Sequence, residues 1–271
     1  MTTIANLREF EALARARLTP SAYAYYAGGS WDEHTMRDNE AAFARRRLLP
    51  RVLVDVAQVD PGTSLLGRAV SLPVGFAPAA LQGLAHPDGE LVPARIASGS
   101  GLLYCLSTFA NRSIEQVASS GPGPRWFQLY VQKDRAASEA AVARAVAARY
   151  DAIVLTVDFA AGGYRERDLR DPVVDEGQLP NVGGEAPNRG PFGHQIDSSL
   201  GWDDLAWLRG LSNLPIVIKG ILDPADAVRA VEQGAAGIVV SNHGGRPMNT
   251  ALAPRARAVI TSVPRRTPPS R

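Results

Sequence analysis

Pro215-Ile216-Val217-Ile218-Lys219-Gly220 and, further along the chain, Gly237-Ile238-Val239-Val240-Ser241-Asn242-His243-Gly244-Gly245-Arg246 decide the fold. Each stretch begins with an apolar run of strand length and reaches charged side chains at its end. Residues 224–233 between them have a helical pattern, so the two stretches predict consecutive βα units. In a β/α barrel the catalytic groups lie at the carboxyl ends of the strands, which is where Lys219 and His243 fall.

The same alternation of strand and helix extends towards the amino terminus. Six strands are predicted, at residues 72–77, 102–106, 126–130, 152–157, 215–219 and 237–240. Helices are predicted at residues 89–98, 113–118, 136–149, 202–208 and 224–233, and two more precede the strands at 4–18 and 21–26. Repeated βα units make a parallel sheet with right-handed crossovers. We therefore expect an α/β fold of the TIM-barrel, or (β/α)8, type with N-terminal helices.

The chain is long enough for one such barrel but shows only six of its eight βα units. A barrel of this type takes about 250 residues, and the chain has 271. We assign residues 1–253 to one domain, an incomplete barrel, and expect the sequence to be truncated after about Pro254. Residues 254–271 contain five Arg and no Asp or Glu, and are predicted to be a disordered Arg/Pro-rich tail.

Composition argues against several other classes of protein. Outside the tail the chain is slightly acidic, so no nucleic-acid partner is expected. No stretch reaches the ~18 continuous apolar residues of a membrane span, and no leader is recognisable, which predicts a cytoplasmic protein. The single cysteine, Cys105, lies in an apolar run and is expected to be a buried hydrophobic side chain rather than a nucleophile. No metal site is predicted.

Polar side chains gather at the predicted strand ends, and two of them are the most informative. Lys219 is one of only two lysines among 29 basic residues, so a lysine at a buried strand end indicates a site that needs a compact ammonium group. A structural ion pair is the alternative. His243 is followed by Gly-Gly-Arg on a strand-end loop, which favours a functional histidine over a structural one. Arg165 fits a substrate clamp and a solvated charge equally well.

A series of short motifs occurs in order between about Ile4 and Arg246. They are Tyr25-Tyr26-Ala27-Gly28-Gly29, Ala77-Pro78-Ala79-Ala80, Leu106-Ser107-Thr108, Trp126-Phe127-Gln128-Leu129-Tyr130, Leu155-Thr156-Val157-Asp158, Tyr164-Arg165-Glu166-Arg167-Asp168, Val217-Ile218-Lys219-Gly220 and Ser241 to Arg246. Together they resemble the FMN-dependent α-hydroxy acid dehydrogenases and oxidases, the family of glycolate oxidase, L-lactate dehydrogenase and (S)-mandelate dehydrogenase.

By this resemblance the cofactor is FMN. The groups expected to hold its isoalloxazine ring are the backbone at Ala79 and Ala80 and the side chains of Ser107, Gln128 and Thr156. Lys219 would face the N1/O2 edge of the ring, where its charge stabilises the anionic reduced flavin.

The resemblance also implies the reaction, which is oxidation of an L-2-hydroxy acid to the 2-oxo acid. His243 would act as the general base, and Asp158 would orient it. The residues expected to bind the substrate carboxylate are Arg165, Arg246 and Tyr25, and Tyr130 is expected to hydrogen-bond near the substrate oxygen. Proton abstraction to a carbanion and direct hydride transfer both stay open.

Mandelate-, lactate- and glycolate-like substrates are all compatible with these motifs. Residues 163–168 are most similar to mandelate dehydrogenase, and Phe109 stands where glycolate oxidases typically carry a larger aromatic residue, which favours a bulky or aromatic substrate. The loop at 170–199 is polar, unlike the apolar membrane-binding insert of mandelate dehydrogenase. Dioxygen is therefore the expected electron acceptor, with a quinone or cytochrome as the alternative, and homo-oligomerisation stays open.

The chain departs from the family pattern after Arg246. Pro247-Met248-Asn249 stands where the family usually continues Gln-Leu-Asp, and the segments that grip the FMN phosphate after the seventh and eighth strands are missing. Two alternatives therefore stand beside a flavin enzyme. One is an inactive fragment or interaction module that does not retain FMN, and the other is a Schiff-base barrel enzyme that uses Lys219. The second leaves His243 and the two arginines unexplained.

Overall fold

The computed structural model describes residues 4–173, 177–182, 195–254 and, for the backbone alone, 260–262. Three helices come first, α1 (Arg8–Arg15), α2 (Pro20–Ala27) and α3 (His34–Ala44). The first two confirm the predicted helices, whereas α3 was not predicted. At the start of α2, Thr19 Oγ1 accepts a hydrogen bond from the Ala22 amide at 3.2 Å and Pro20 fills the first turn, both typical of a helix start.

The main sheet follows a short antiparallel hairpin. The hairpin, β1 (Thr63–Leu65) and β2 (Arg68–Val70), was not predicted. The six predicted strands are confirmed as β3 (Gly75–Phe76), β4 (Leu103–Ser107), β5 (Arg125–Leu129), β6 (Ala152–Thr156), β7 (Ile216–Ile221) and β8 (Gly237–Val240). They lie side by side in chain order and run parallel, forming a partial barrel. A last strand, β9 (Ile260–Ser262), pairs antiparallel with β8 and is not a further βα unit.

Helices connect successive strands, as predicted. They are α4 (Leu91–Gly99), α5 (Ile114–Ala118), α6 (Arg135–Ala147), α8 (Asp204–Leu211) and α9 (Pro224–Glu232). The short helix α7 (Glu166–Arg170), which follows β6, was not predicted. Three of these helices have a side-chain cap at their first turn. Ser113 forms a capping box with Gln116 at α5. Asp134 and Asp223 accept hydrogen bonds from backbone amides in the first turns of α6 and α9, respectively.

Parts of two predicted segments lie outside the described residues. The predicted loop at 170–199 is described at 170–173, 177–182 and 195–199. Its first residue, Arg170, is the last residue of α7, and Ile196 forms an isolated bridge with Gln132. Of the predicted disordered tail, only Pro254 and the backbone of 260–262 are described, so its disorder stays a prediction. None of the helices in the described ranges is long and apolar enough to cross a membrane.

Strand side chains alternate between two apolar layers. Those facing the helices include Leu106, Phe127, Leu155 and Ile218. Those facing inwards include Cys105, Trp126, Val154 and Val217, which pack with Val70 of the hairpin. This alternation is the two-residue period of a β-strand. Cys105 is buried, as predicted, and burial raises the pKa of its thiol.

The parallel register aligns the polar ends of neighbouring strands. Ser107 is paired with Gln128, and Thr156 is paired with Lys219. The register shifts between Lys219 and Ile221, where Gly220 has a φ of +116°. A Cβ at Gly220 would lie 2.6 Å from the Cβ of Asp158, so a glycine is required for β7 to pass so close to that carboxylate.

A fully buried carboxylate ties two strand-end loops together. Glu90 accepts hydrogen bonds from the backbone amides of Gln82, Asn111 and Arg112, each at 3.1 Å. Gln82 lies after β3, whereas Asn111 and Arg112 lie after β4. The three donors compensate the carboxylate for the loss of water. Glu90 therefore fixes the loop after β3 against the loop after β4.

Replacing Glu90 by alanine should lower the free energy of unfolding by about 2 to 4 kcal/mol, because three amide donors lose their acceptor. Denaturant unfolding followed by circular dichroism measures the change. Glu232→Ala, at an exposed position on α9, is the matched control and should alter stability by less than about 0.5 kcal/mol. Equal stability of Glu90→Ala and the parent chain would show that the carboxylate does not hold the loops.

Candidate active site

A cavity of about 380 Å³ lies at the carboxyl ends of the parallel strands. Every predicted site residue except Asp158 lines it: Tyr25, Ala79, Ala80, Ser107, Gln128, Tyr130, Thr156, Arg165, Lys219, His243 and Arg246. Asp158 lies behind His243 and contacts its ring. These residues come from α2, from strand ends and from the loops that follow, and the parallel sheet brings them together as expected for a β/α barrel.

Three buried polar side chains form a row along the cavity. Ser107 Oγ donates to Gln128 Oε1 at 3.2 Å, and Gln128 Nε2 donates to Thr156 Oγ1 at 3.0 Å. The neighbouring Thr108 hydroxyl donates to the main-chain oxygen of Gln128 at 2.7 Å and so holds β5 against the end of β4. Because each side chain fixes the next, the row offers donors and acceptors in set positions to a polar ring edge.

Lys219 adds an ammonium group to this row. The residue is only 8% exposed. The nearest described carboxylate oxygen, Asp158 Oδ1, lies 3.9 Å from its Nζ, and His243 Nδ1 lies 3.4 Å away. Burial lowers the pKa of Lys219, whereas the Asp158 charge opposes that change. At 3.9 Å, Asp158 only partly neutralises the buried Lys219 ammonium group, which therefore attracts the electron-rich edge of a ligand ring.

His243 is held at both ring nitrogens. Its Nδ1 lies 2.8 Å from Asp158 Oδ1, and its Nε2 lies 2.9 Å from the Tyr130 hydroxyl. A proton on Nδ1 donated to the carboxylate leaves Nε2 as an acceptor. Burial lowers the pKa of His243, the Lys219 and Arg246 charges lower it further, and the hydrogen bond that Nδ1 donates to Asp158 opposes them. The ring is therefore a neutral base whose protonated form Asp158 stabilises.

Two arginines converge on Tyr25. Arg165 Nη2 and Arg246 Nη1 donate to the Tyr25 carbonyl oxygen at 2.6 and 2.8 Å, and their guanidinium carbons lie 5.3 and 4.8 Å from its ring centre. Asp168 Oδ2 anchors Arg165 at 2.7 Å. Burial and the Arg246 charge lower the pKa of Arg165 to about 10. Its buried Nε has no hydrogen-bond partner among the described residues. Such a pair suits a carboxylate ligand.

Several other cavity residues were not predicted. Tyr26 donates its hydroxyl to the Leu81 carbonyl oxygen at 2.5 Å, and the Phe159 ring centre lies 5.0 Å from that of His243. Ser241 Oγ accepts a hydrogen bond from the His243 amide at 3.0 Å. Tyr26 and Phe159 each directly follow a predicted site residue, and Tyr26 also belongs to one of the family motifs. By type alone they are ordinary core aromatic residues.

The cavity fits the ring of FMN. A flavin ring has apolar faces and polar edges and gains negative charge on reduction. The small side chains of Ala79 and Ala80, the polar row and the buried Lys219 ammonium match those three properties. Within the described residues the cations lining the cavity are Lys219, Arg165 and Arg246, so it offers no additional cation for the phosphate of the cofactor.

Sequence comparison relates the chain to flavin enzymes. Residues 14–264 match the family described as FMN-dependent dehydrogenase. An L-lactate oxidase of Nostoc sp. (strain PCC 7120 / SAG 25.82 / UTEX 2576) is 46% identical over 265 residues, covering 92% of this chain and 73% of that protein. Glycolate oxidase 5 of Oryza sativa subsp. japonica is 44% identical over 261 residues, covering 92% and 71%.

Solved structures agree in fold. A mandelate oxidase variant with (S)-mandelic acid has a TM-score of 0.84 and 37% identity, covering 92% of this chain and 71% of that one. A variant of an active chimera of (S)-mandelate dehydrogenase has a TM-score of 0.85 and 36% identity, covering 92% and 74%. With a family match over most of its length and relatives of this identity, the chain belongs to the FMN-dependent dehydrogenase family.

Proposed function

We propose that this chain catalyses the oxidation of an L-2-hydroxy acid to the 2-oxo acid through the residues described above, with FMN as cofactor. The alignment of Tyr130, His243 and Asp158 through contacts of 2.9 and 2.8 Å carries this proposal. A neutral base oriented by a carboxylate can take a proton from a CH–OH group. The Lys219 ammonium beside it can stabilise negative charge that develops as electrons leave the substrate.

FMN, when bound, supplies the acceptor for the two electrons that leave the substrate. Its ring would be held by the backbone at Ala79 and Ala80 and by the side chains of Ser107, Gln128, Thr156 and Lys219. All of these groups line the same cavity as His243.

Arg165 and Arg246 would bind the substrate carboxylate. Each guanidinium has five N–H donors, so the bond of each to the Tyr25 carbonyl oxygen leaves donors for a second partner. The buried Nε of Arg165 is one such donor. An anion placed there also relieves the repulsion between the two guanidinium groups. The Tyr25 side chain lies against both arginines and would complete the carboxylate site.

The proton step follows from the hydrogen bonds of His243. Its Nε2, which faces the Tyr130 hydroxyl, would receive one proton from the carbinol group, and the imidazolium would then be paired with Asp158 through Nδ1. In a carbanion route this proton comes from the carbon, and in a hydride route it comes from the hydroxyl. Tyr130 would hold the substrate oxygen in both routes.

Three further features are proposed from the sequence alone. They are the acceptor that reoxidises the flavin (dioxygen, a quinone or a cytochrome), the cytoplasmic location and a possible homo-oligomer. The family relationship favours the flavin-dependent reaction over a Lys219 Schiff base and over an inactive module.

The chain mixed with FMN should give a flavin absorption band that elutes with the protein and bleaches on anaerobic addition of L-lactate or (S)-mandelate. His243→Gln should keep the band and bleach about 10²- to 10⁴-fold more slowly, because the base is lost. His86→Gln, at an exposed histidine, is the control and should bleach at the parent rate. A chain that takes up no FMN would favour the inactive alternative, and fast bleaching of His243→Gln would refute its role.

The rate of flavin reduction should fall in acid solution with a pKa below about 6.5, the ordinary value for histidine. His243 must be unprotonated to accept a proton, and burial lowers its pKa, so activity persists below that value and is lost as the pH falls further. Asp158→Asn should move this acidic limb to still lower pH, because the carboxylate no longer favours the imidazolium. Stopped-flow reduction at saturating FMN and limiting substrate reports the substrate-free site and measures both limbs across pH. A parent limb above 6.5 under these conditions would contradict this assignment.

L-Lactate should be a better substrate than glycolate by about fourfold in kcat/KM, since burying one additional methyl group contributes about 0.8 kcal/mol. The apolar side chains of Ala79, Ala80, Phe109 and Phe159 line the cavity and supply the contact. (S)-Mandelate, with a larger apolar group, should exceed lactate. Steady-state kinetics with the three acids at one saturating FMN concentration gives kcat/KM for each. A higher kcat/KM for glycolate than for lactate would argue against an apolar site for the substrate side chain.

A further inference from the structure

Asn39 of α3 and Asn242 exchange two amide hydrogen bonds. Asn39 Nδ2 donates to Asn242 Oδ1 at 3.0 Å, and Asn242 Nδ2 donates back to Asn39 Oδ1 at 2.7 Å. Asn242 also donates to the Leu252 carbonyl oxygen at 3.1 Å and is 6% exposed. It directly precedes His243, so the amide pair joins α3 to the residue next to the proposed base.

The backbone that carries the base is strained. His243 has a φ of +58°, and Gly244 and Gly245 follow at +68° and +74°. Two of these positions are glycines, which adopt the left-handed region readily, but His243 has a Cβ and does so at a cost in conformational energy. A residue in such a conformation keeps it only where the surrounding structure determines it.

Helix α3 supplies those surroundings from behind the loop. The Thr35 amide donates to the Asn249 carbonyl oxygen at 2.8 Å, and Thr35 Oγ1 accepts from the Ala251 amide at 2.9 Å. The Gly245 backbone lies so close to α3 that a Cβ there would be 2.7 Å from the Met36 nitrogen. The loop is therefore fixed against α3 both before and after His243.

We propose that Asn39 is a positioning residue, which acts through Asn242 to keep His243 in its left-handed conformation with Nε2 directed at the substrate. Asp158 fixes the ring from its Nδ1 side, and the amide pair fixes the backbone that carries the ring. Asn39 does not line the cavity and so acts only through its neighbour. The proposal rests on the proposed function of His243 as the base.

An amide is required at both positions of the pair. Each partner donates once and accepts once, which asparagine can do and aspartate or alanine cannot. Asn39→Asp keeps the size of the side chain but removes its donor to Asn242 Oδ1. Asn39→Ala removes the donor and the acceptor together.

Asn39→Ala should slow anaerobic flavin reduction at saturating substrate by about 10- to 100-fold, because a displacement of about 1 Å of a reacting group is enough for such a loss. KM and FMN affinity should change by less than about twofold, since a uniform loss of binding is not expected. Glu40→Ala, the next and exposed position on α3, is the control and should keep the parent rate. Asn242→Ala also loses the bond to Leu252 and should slow reduction at least as much as Asn39→Ala, and the double variant should be no slower than Asn242→Ala.

A second readout needs no turnover. The imidazole signals of His243, assigned by their loss in His243→Gln, give its pKa by NMR titration in the presence of the groups that face it, Asp158, Lys219, Arg246 and Tyr130. Asn39→Ala should move this pKa towards the ordinary histidine value, because the loosened ring gains solvent. If Asn39→Ala does not fold, Asn39→Asp, which removes only the donor, replaces it in the rate measurement and should slow flavin reduction in the same direction.

The rate and the titration distinguish failure of the positioning role from failure of the proposed function. A parent chain that oxidises no 2-hydroxy acid while Asn39→Ala still shifts the His243 titration would refute the proposed function and support the positioning role. A folded Asn39→Ala with the parent rate and the parent titration would overturn the positioning role. A loss of rate accompanied by an equal rise in KM would likewise overturn it, because it would assign Asn39 to binding.

Discussion

Parallel pairing of β3 to β8 is the constraint on which the site depends. Side chains alternate between the faces of a sheet, so a slip of one residue in a ladder would exchange the groups that face the cavity for those that face the helices. The observed register pairs Ser107 with Gln128 and Thr156 with Lys219, which creates the polar row. Apolar residues at alternate positions hold that register by packing on the outer helices. The same ladders therefore specify both the core and the site.

Burial gives this site its electrostatic character. Lys219, Arg165 and Arg246 place three positive charges near two carboxylates, Asp158, which contacts His243, and Asp168, which pairs with Arg165. Burial disfavours a further positive charge on His243, and the Lys219 and Arg246 charges add to that effect, so the neutral ring is favoured. A substrate carboxylate offsets part of that excess. Substrate binding should therefore make protonation of His243 easier, which couples recognition of the anion to the proton transfer that follows.

The strands and most helices could be predicted because apolar runs, polar strand ends and helix caps recur along the chain. The roles of the site residues could be predicted only from the family motifs, since a lone Tyr130 or Gln128 resembles any core residue.

Helix α3 was missed because it begins after Glu33, which has a φ of +60° and provides no side-chain cap. The hairpin strands have three residues each, too few for a visible alternation. The Asn39–Asn242 pair joins residues 203 positions apart, and nothing local marks either partner.

Catalytic competence and cofactor retention are separate properties of this chain. The groups proposed to act on the substrate and on the flavin ring all lie among the described residues, whereas the cavity formed by those residues offers no additional cation for the phosphate. A thousandfold loss of FMN affinity corresponds to about 4 kcal/mol, and a proportionate increase in FMN concentration restores occupancy by mass action. Such a loss leaves the His243–Asp158 contact unchanged, because neither residue is proposed to bind the phosphate. The rate at saturating FMN therefore reports on the chemistry of the site, and the FMN concentration needed to reach it reports on retention.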